Sequence, residues 1–110
     1  MSKKMEEKSE NYARFKVRGW DEVLNKMCYD LDDLSLETLM RQGIKLMQCT
    51  GLVDAAGFLI YEGDLLVSCH DIDTYEVIRE KSGRFIMVCK GKRACIVGYR
   101  VSIVGNIYRR

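Results

Sequence analysis

The sequence predicts a mainly β domain, a small barrel or roll with one short helix. Three observations carry that expectation. Short apolar segments recur along the chain between glycine-containing turns, which is the spacing of antiparallel strands in a small barrel. Only one stretch, Asp30 to Gln42, repeats its apolar residues at helical spacing. The length of 110 residues fits a single domain, and 47% hydrophobic with 31% charged residues is the balance of a chain that folds around one core.

The polar segment from Met1 to Tyr12 is expected to fray, leaving residues 13–110 as one β domain. Phe15-Lys16-Val17-Arg18 alternates apolar and basic residues and reads as the first strand, followed by Gly19-Trp20-Asp21. Glu22 to Lys26 turns the chain into a short second strand, Met27 to Tyr29. In the helical stretch, Ser35 can cap the N-terminus and Glu37 suits the first turn. Leu36, Leu39 and Met40 share a face, and Gly43 is the stop. A helix of about two turns persists only when docked on something.

Ile44 to Thr50 returns to strand character, and Gly51 to Gly57 carries a turn in which Asp54 and Gly57 are the turn residues. Phe58 to Tyr61 leads through Glu62-Gly63-Asp64 into a strand from Leu65 to Cys69, with Gly63 supplying backbone freedom. After a polar connection, His70 to Thr74, the strands Tyr75 to Arg79 and Arg84 to Cys89 flank a hairpin turn at Lys81-Ser82-Gly83. Lys90-Gly91-Lys92 turns into Ala94 to Val97, Gly98 kinks the chain, and Tyr99 to Ile107 completes it.

Composition excludes several classes. No apolar run approaches the roughly 18 residues of a membrane span. The charged N-terminus is not a signal peptide, and the absence of proline removes polyproline recognition tracts. Net charge is +2, but it is uneven: residues 1–64 hold nine basic and twelve acidic side chains, residues 65–110 nine and four. Arg79, Arg84, Lys92, Arg93 and Arg100 are therefore candidate contacts for nucleic acid or a partner, with Trp20 or Tyr99 able to stack a base. The competing reading is a solvated strand face with charged turn tips.

Cys28, Cys49, Cys69, Cys89 and Cys95 are odd in number and lack any CxxC pair, which points to free thiols in a reducing compartment rather than a zinc site. Each has apolar neighbours and is expected in the core. Cys69 and His70 are adjacent, so on a strand they point to opposite faces. No phosphate-binding glycine loop, nucleophile elbow or complete calcium loop occurs, and no cofactor or metal is expected. Glu62 and Asp64, two residues apart, could share one face for acid–base work. The alternative is a turn whose carboxylates accept from backbone N–H groups. Trp20 and Tyr61 could stack a ligand ring beside Arg18, or pack the core.

Four separated blocks resemble the YopX family of phage and prophage proteins. Arg14-Phe15-Lys16-Val17-Arg18-Gly19-Trp20-Asp21 is similar to its opening segment, with Lys26-Met27-Cys28-Tyr29 like the short element that follows. Leu46 to Asp54 resembles the family's L-M-Q-Y-T-G-L-K-D, with Cys49 where an aromatic is usual. Gly57 to Leu65 is similar to G-K-E-I-Y-E-G-D-I, and Val104-Gly105-Asn106-Ile107-Tyr108 to the terminal V-I-G-N-I-Y. Ala55-Ala56 departs from a more polar turn. Arg109-Arg110 stands where the family usually continues into an acidic, proline-containing tail, so a tail-dependent role is not expected.

The resemblance implies an SH3-type barrel or roll made inside a bacterial host, and it implies no reaction. Trp20, Asp21, Thr50, Gly51, Tyr61, Glu62, Gly63, Asp64, Gly105 and Asn106 are then structural motif residues. Trp20, Ile60 and Tyr61 pack the core. Gly51, Gly63 and Gly105 permit tight geometry, and Thr50 and Asn106 close turns by bonding backbone groups. The expected function is a non-enzymatic interaction module in the bacterial cytoplasm, away from membranes. Its partner would be a host or phage protein or a second copy of the chain. The alternative is weak nucleic-acid binding through the basic half.

Overall fold

The computed structural model describes residues 16–29, 31, 36–70, 72–97 and 99–109. The segment Met1 to Tyr12, the Ser35 cap and the Gly98 kink lie outside them. The fold is mainly β, as expected, and its described strands divide between two antiparallel sheets. The first has the order β2-β1-β3-β4, built from β1 (Val17–Asp21), β2 (Lys26–Cys28), β3 (Ile44–Val53) and β4 (Leu59–Tyr61). The second has the order β8-β7-β6-β5-β9. Its strands are β5 (Asp64–Ser68), β6 (Thr74–Arg79), β7 (Phe85–Cys89), β8 (Lys92–Cys95) and β9 (Val101–Asn106). One helix, α1 (Leu36–Arg41), precedes β3.

Several boundaries differ from the sequence reading for identifiable reasons. Strand β1 runs through Gly19 and Trp20, where the glycine reads as a stop. Gly19 is there because its neighbours leave no room: a Cβ on it would lie 2.3 Å from Ile44 Cγ2. Strand β3 likewise passes through Gly51 to Val53. Gly51, with φ +85°, sits where the β3–β4 register shifts between Cys49 and Val53, so it serves a bulge inside a strand rather than the turn beyond it. Lys92 belongs to β8, opposite Cys89, because Lys90 and Gly91 alone make the turn, with φ +49° and +85°. Gly105 has no positive φ; it lies in β9 opposite Leu65, where the β5–β9 register shifts.

The main core joins both sheets, with Ile60 of β4 among Leu66, Tyr75, Val77, Met87, Ile96 and Val101. Trp20, Ile60 and Tyr61 are all buried, as the motif reading expects. Described α1 ends at Arg41, where Gln42 N–H donates to Thr38 C=O at 3.1 Å and Gly43 follows at φ +78°. Leu39 is buried with Leu31 and Ile44. The cysteine expectation needs correction. Cys49 is buried and Cys28 and Cys89 half-buried, but Cys69 and Cys95 are exposed. Cys69 sits in the turn after β5, and Cys95 lies on the edge strand β8.

Candidate binding cleft

A cleft of about 380 Å³ opens between β4 and β9, the neighbouring edge strands of the two sheets. Its charged floor is Arg18 of β1 and Asp64, whose side chains are only 4% and 2% exposed. The guanidinium donates from Nη2 to Asp64 Oδ1 at 2.8 Å and to Glu62 C=O at 3.2 Å. It donates from Nη1 to the Tyr29 hydroxyl at 3.5 Å, and it lies over the Tyr61 ring at 4.8 Å. Arg18 Nε is buried and finds no acceptor. One side chain of the first sheet thus grips the first residue of β5 in the second.

Asp64 is as buried as its partner, and burial pushes its carboxyl above the ordinary range. Arg18 and the Tyr61 N–H, which donates to Oδ2 at 2.8 Å, oppose that rise. Asp54 is also buried at the cleft. Its Oδ1 accepts from Ala56 and Phe58 N–H at 3.0 and 2.9 Å, closing the β3–β4 turn with Gly57 at φ +91°. Its Oδ2 accepts from Ile103 N–H at 3.0 Å, and Ala55 N–H reaches Val101 C=O at 2.8 Å. The turn residue named by the sequence therefore also ties the two sheets together. Tyr29 and Phe58 line the cleft while staying 47% and 56% exposed.

Glu62-Gly63-Asp64 is the turn of hydrogen-bonded carboxylates, not a convergent acid–base pair. Glu62 Oε1 accepts from Gln48 N–H at 3.2 Å, whereas Asp64 turns inward to Arg18. Gly63 has φ +89°, and a Cβ on it would meet Met47 Sδ at 3.1 Å. Its N–H donates to Val77 C=O and its C=O accepts from Ile107 N–H, both at 2.9 Å. Gly63→Ala is expected to destabilise the fold by about 1–2 kcal/mol, read as a lower urea midpoint. Asn106 closes a turn as expected, whereas Thr50 lies inside β3 and bonds across to β4 instead. Thr50 Oγ1 donates to Ile60 C=O at 2.8 Å, and Asn106 Oδ1 accepts from Tyr108 and Arg109 N–H at 2.9 and 2.8 Å. Asp21 caps the β1–β2 turn, accepting from Val23 and Leu24 N–H.

The basic candidates come together only in part: Arg79, Arg84 and Arg93 lie around Glu80, while Lys92 is on the other face of β8. Arg84 and Arg93 both pair with Glu80. Arg79 donates to Gln48 Oε1 at 3.4 Å, and Lys92 pairs with Asp73 beside the Tyr75 ring. The Asp73 bond holds the Lys92 ammonium above its ordinary value. Lys92 and Arg93 are strand neighbours and so point to opposite faces of β8. Arg100 is exposed before β9, and Tyr99 meets His70 edge-on. Trp20 is buried, stacks on Tyr108 at 5.4 Å and has the Arg109 guanidinium 5.5 Å from its ring, so the indole is engaged by the chain itself. Burial pushes the Cys49 thiol up, making it a poor nucleophile.

Sequence reasoning missed Tyr29, Phe58 and Ile103 as cleft residues and saw Arg18 only as a neighbour of Trp20. The available signal was an arginine inside an otherwise buried run, Arg18-Gly19-Trp20. Among the described residues, no helix is long and apolar enough to cross a membrane, and no group of three or more His, Cys, Asp or Glu could hold a metal. No curated protein matches the chain. A family model described as YopX protein matches residues 3–110, essentially the full sequence. With the four motif blocks now placed at β1, β3, the β4–β5 turn and β9, the chain belongs to the YopX family.

Proposed function

We propose that this protein is a small, non-catalytic binding module whose binding surface is the cleft between β4 and β9. The observation that supports it most is the pairing of exposed aromatic walls, Tyr29 and Phe58, with a rigid, charge-paired floor at Arg18 and Asp64. The volume of the cleft falls in the range usual for ligand pockets. Glu62 and Asp64 are engaged by backbone N–H groups, so the reading assigns them structural work. The architecture it assumes is an SH3-type barrel with α1 docked on its first sheet, which the burial of Leu39 supports. The setting it assumes is the cytoplasm of a bacterial host, the gene coming from a phage or prophage. The partner is a host or phage protein. The nucleic-acid alternative is disfavoured because three of its five cations are already in ion pairs, Arg84 and Arg93 sharing Glu80 and Lys92 with Asp73.

The test is capture from induced host cells with the full chain and with Phe58→Ala/Tyr29→Ala. A partner retained by the parent chain and lost from the double variant supports the cleft. Equal retention by both overturns it.

A further inference from the structure

We propose that the tip of the β6–β7 hairpin is a second binding site, which takes a phosphate monoester group. It shares no residue with the β4–β9 cleft and stands or falls without it. An open hollow of about 590 Å³ lies beside this turn, lined by Ile78, Arg79, Glu80, Lys81, Ser82 and Arg93. The turn is tightly closed. Glu80 N–H donates to Arg84 C=O and Gly83 N–H to Glu80 C=O, both at 2.8 Å, with Gly83 at φ +95°. That three-residue loop leaves Lys81 and Ser82 at the tip and sets Arg84 opposite Glu80. Arg93 arrives from β8.

Charge at the hollow does not balance. Among the described residues, Glu80 is the one carboxylate that lines it. Two guanidiniums share that carboxylate: Arg84 Nε donates to Oε1 at 3.2 Å, and Arg93 Nη2 pairs with Oε2. Arg79 donates to a neutral acceptor, Gln48 Oε1, and Lys81 makes no ion pair among the described residues. Glu76 shares a strand face with Glu80 but does not line the hollow. Four cations therefore stand against one anion, and a dianion answers that excess better than a monoanion. A phosphate monoester carries about −1.5 to −2 charges at neutral pH and three strong acceptor oxygens. The donors suit it. Guanidiniums offer paired N–H groups to phosphate oxygens. Ser82 Oγ accepts from Arg84 N–H at 3.4 Å and keeps its own hydrogen to donate. The cations surround one hollow, and Lys92 turns to the other face of β8, which fits a single phosphate rather than a nucleic-acid backbone.

Methyl phosphate and methyl sulfate share a shape and differ by about one charge. Titrated into the isotope-labelled full chain at low salt, methyl phosphate is expected to bind about fivefold tighter than the sulfate, and to shift the Lys81, Ser82 and Arg93 amide resonances. Lys81→Gln and Arg93→Gln should each weaken it about fivefold. Exposed ion pairs organise little, so removing the competing carboxylate in Glu80→Gln should tighten it about threefold. Lys26→Gln, an exposed cation on β2, and Phe58→Ala/Tyr29→Ala should leave it unchanged. All these side chains lie at the surface or half-exposed, and retention of the fold is checked in the same spectra. Inorganic phosphate and a short phosphoserine peptide separate the sources. Equal affinity assigns a free phosphate, and about tenfold tightening with the peptide assigns a phosphorylated protein side chain. Sulfate binding ahead of phosphate, weaker binding in Glu80→Gln, equal weakening in Lys26→Gln, or no binding overturns the site. An oligothymidylate that binds tighter than methyl phosphate, and tighter still as it lengthens, overturns it in favour of nucleic acid.

Discussion

Arg18→Met is expected to remove about 3–5 kcal/mol of stability, because it leaves Asp64 buried without its counter-charge. The loss should depend on pH in a diagnostic direction. An unfolded aspartate titrates at about 4, and burial already holds the folded Asp64 carboxyl above its ordinary range. Removing Arg18 raises it further. The folded variant then keeps its proton where the unfolded chain has released it, so stability is greatest in acid and falls as pH rises through that window. Thermal melts should place Arg18→Met closer to the parent at pH 5 than at pH 7.5. A variant penalty that is flat, or larger at pH 5, would show that Asp64 is not a buried, uncompensated carboxylate.

Asp54→Ala is expected to cost about 3 kcal/mol, since three backbone N–H groups lose their acceptor together. Two of them close the β3–β4 turn and one belongs to Ile103 of β9, so the damage should spread from the turn to the second sheet. Hydrogen exchange at Ile103 is the sharpest measurement. Its amide should lose protection in Asp54→Ala, while amides of the β6–β7 pairing stay protected. Loss of protection confined to Ala56 and Phe58 would mean that Asp54 serves the turn alone.

These two residues mark the boundary of what was legible in the chain. Asp54, Thr50, Gly63 and Asn106 announce themselves because their chemistry is local: each bonds or bends backbone within a few residues or in the adjoining strand. The mainly β architecture was legible for the same reason, through glycine turns and short apolar runs. Gly19 misled because its cause is tertiary, the nearness of Ile44 across the β1–β3 pair. The cleft was hidden because it is assembled from separate parts of the chain. Arg18 and Asp64 meet across two sheets, and Asp54 reaches Ile103 at a separation of 49 residues. Nothing in either neighbourhood alone marks those partners. The basic residues of the second half were legible as a composition, but not that Arg84 and Arg93 would share Glu80 while Lys92 turns to Asp73.

The stack of Trp20 on Tyr108, reinforced by Arg109, has a bearing on how the protein is made. Arg109 also donates to Asn25 C=O, 84 residues earlier. On a translating ribosome the first sheet can pair β1 with β2 and then β3, yet the indole face stays bare until Tyr108 has left the exit tunnel. Closure of this stack therefore waits for Tyr108, and long-range closures of this kind are slow. A nascent chain stalled before Tyr108 should offer its single tryptophan to chaperones, and tryptophan fluorescence would report the moment at which it is withdrawn.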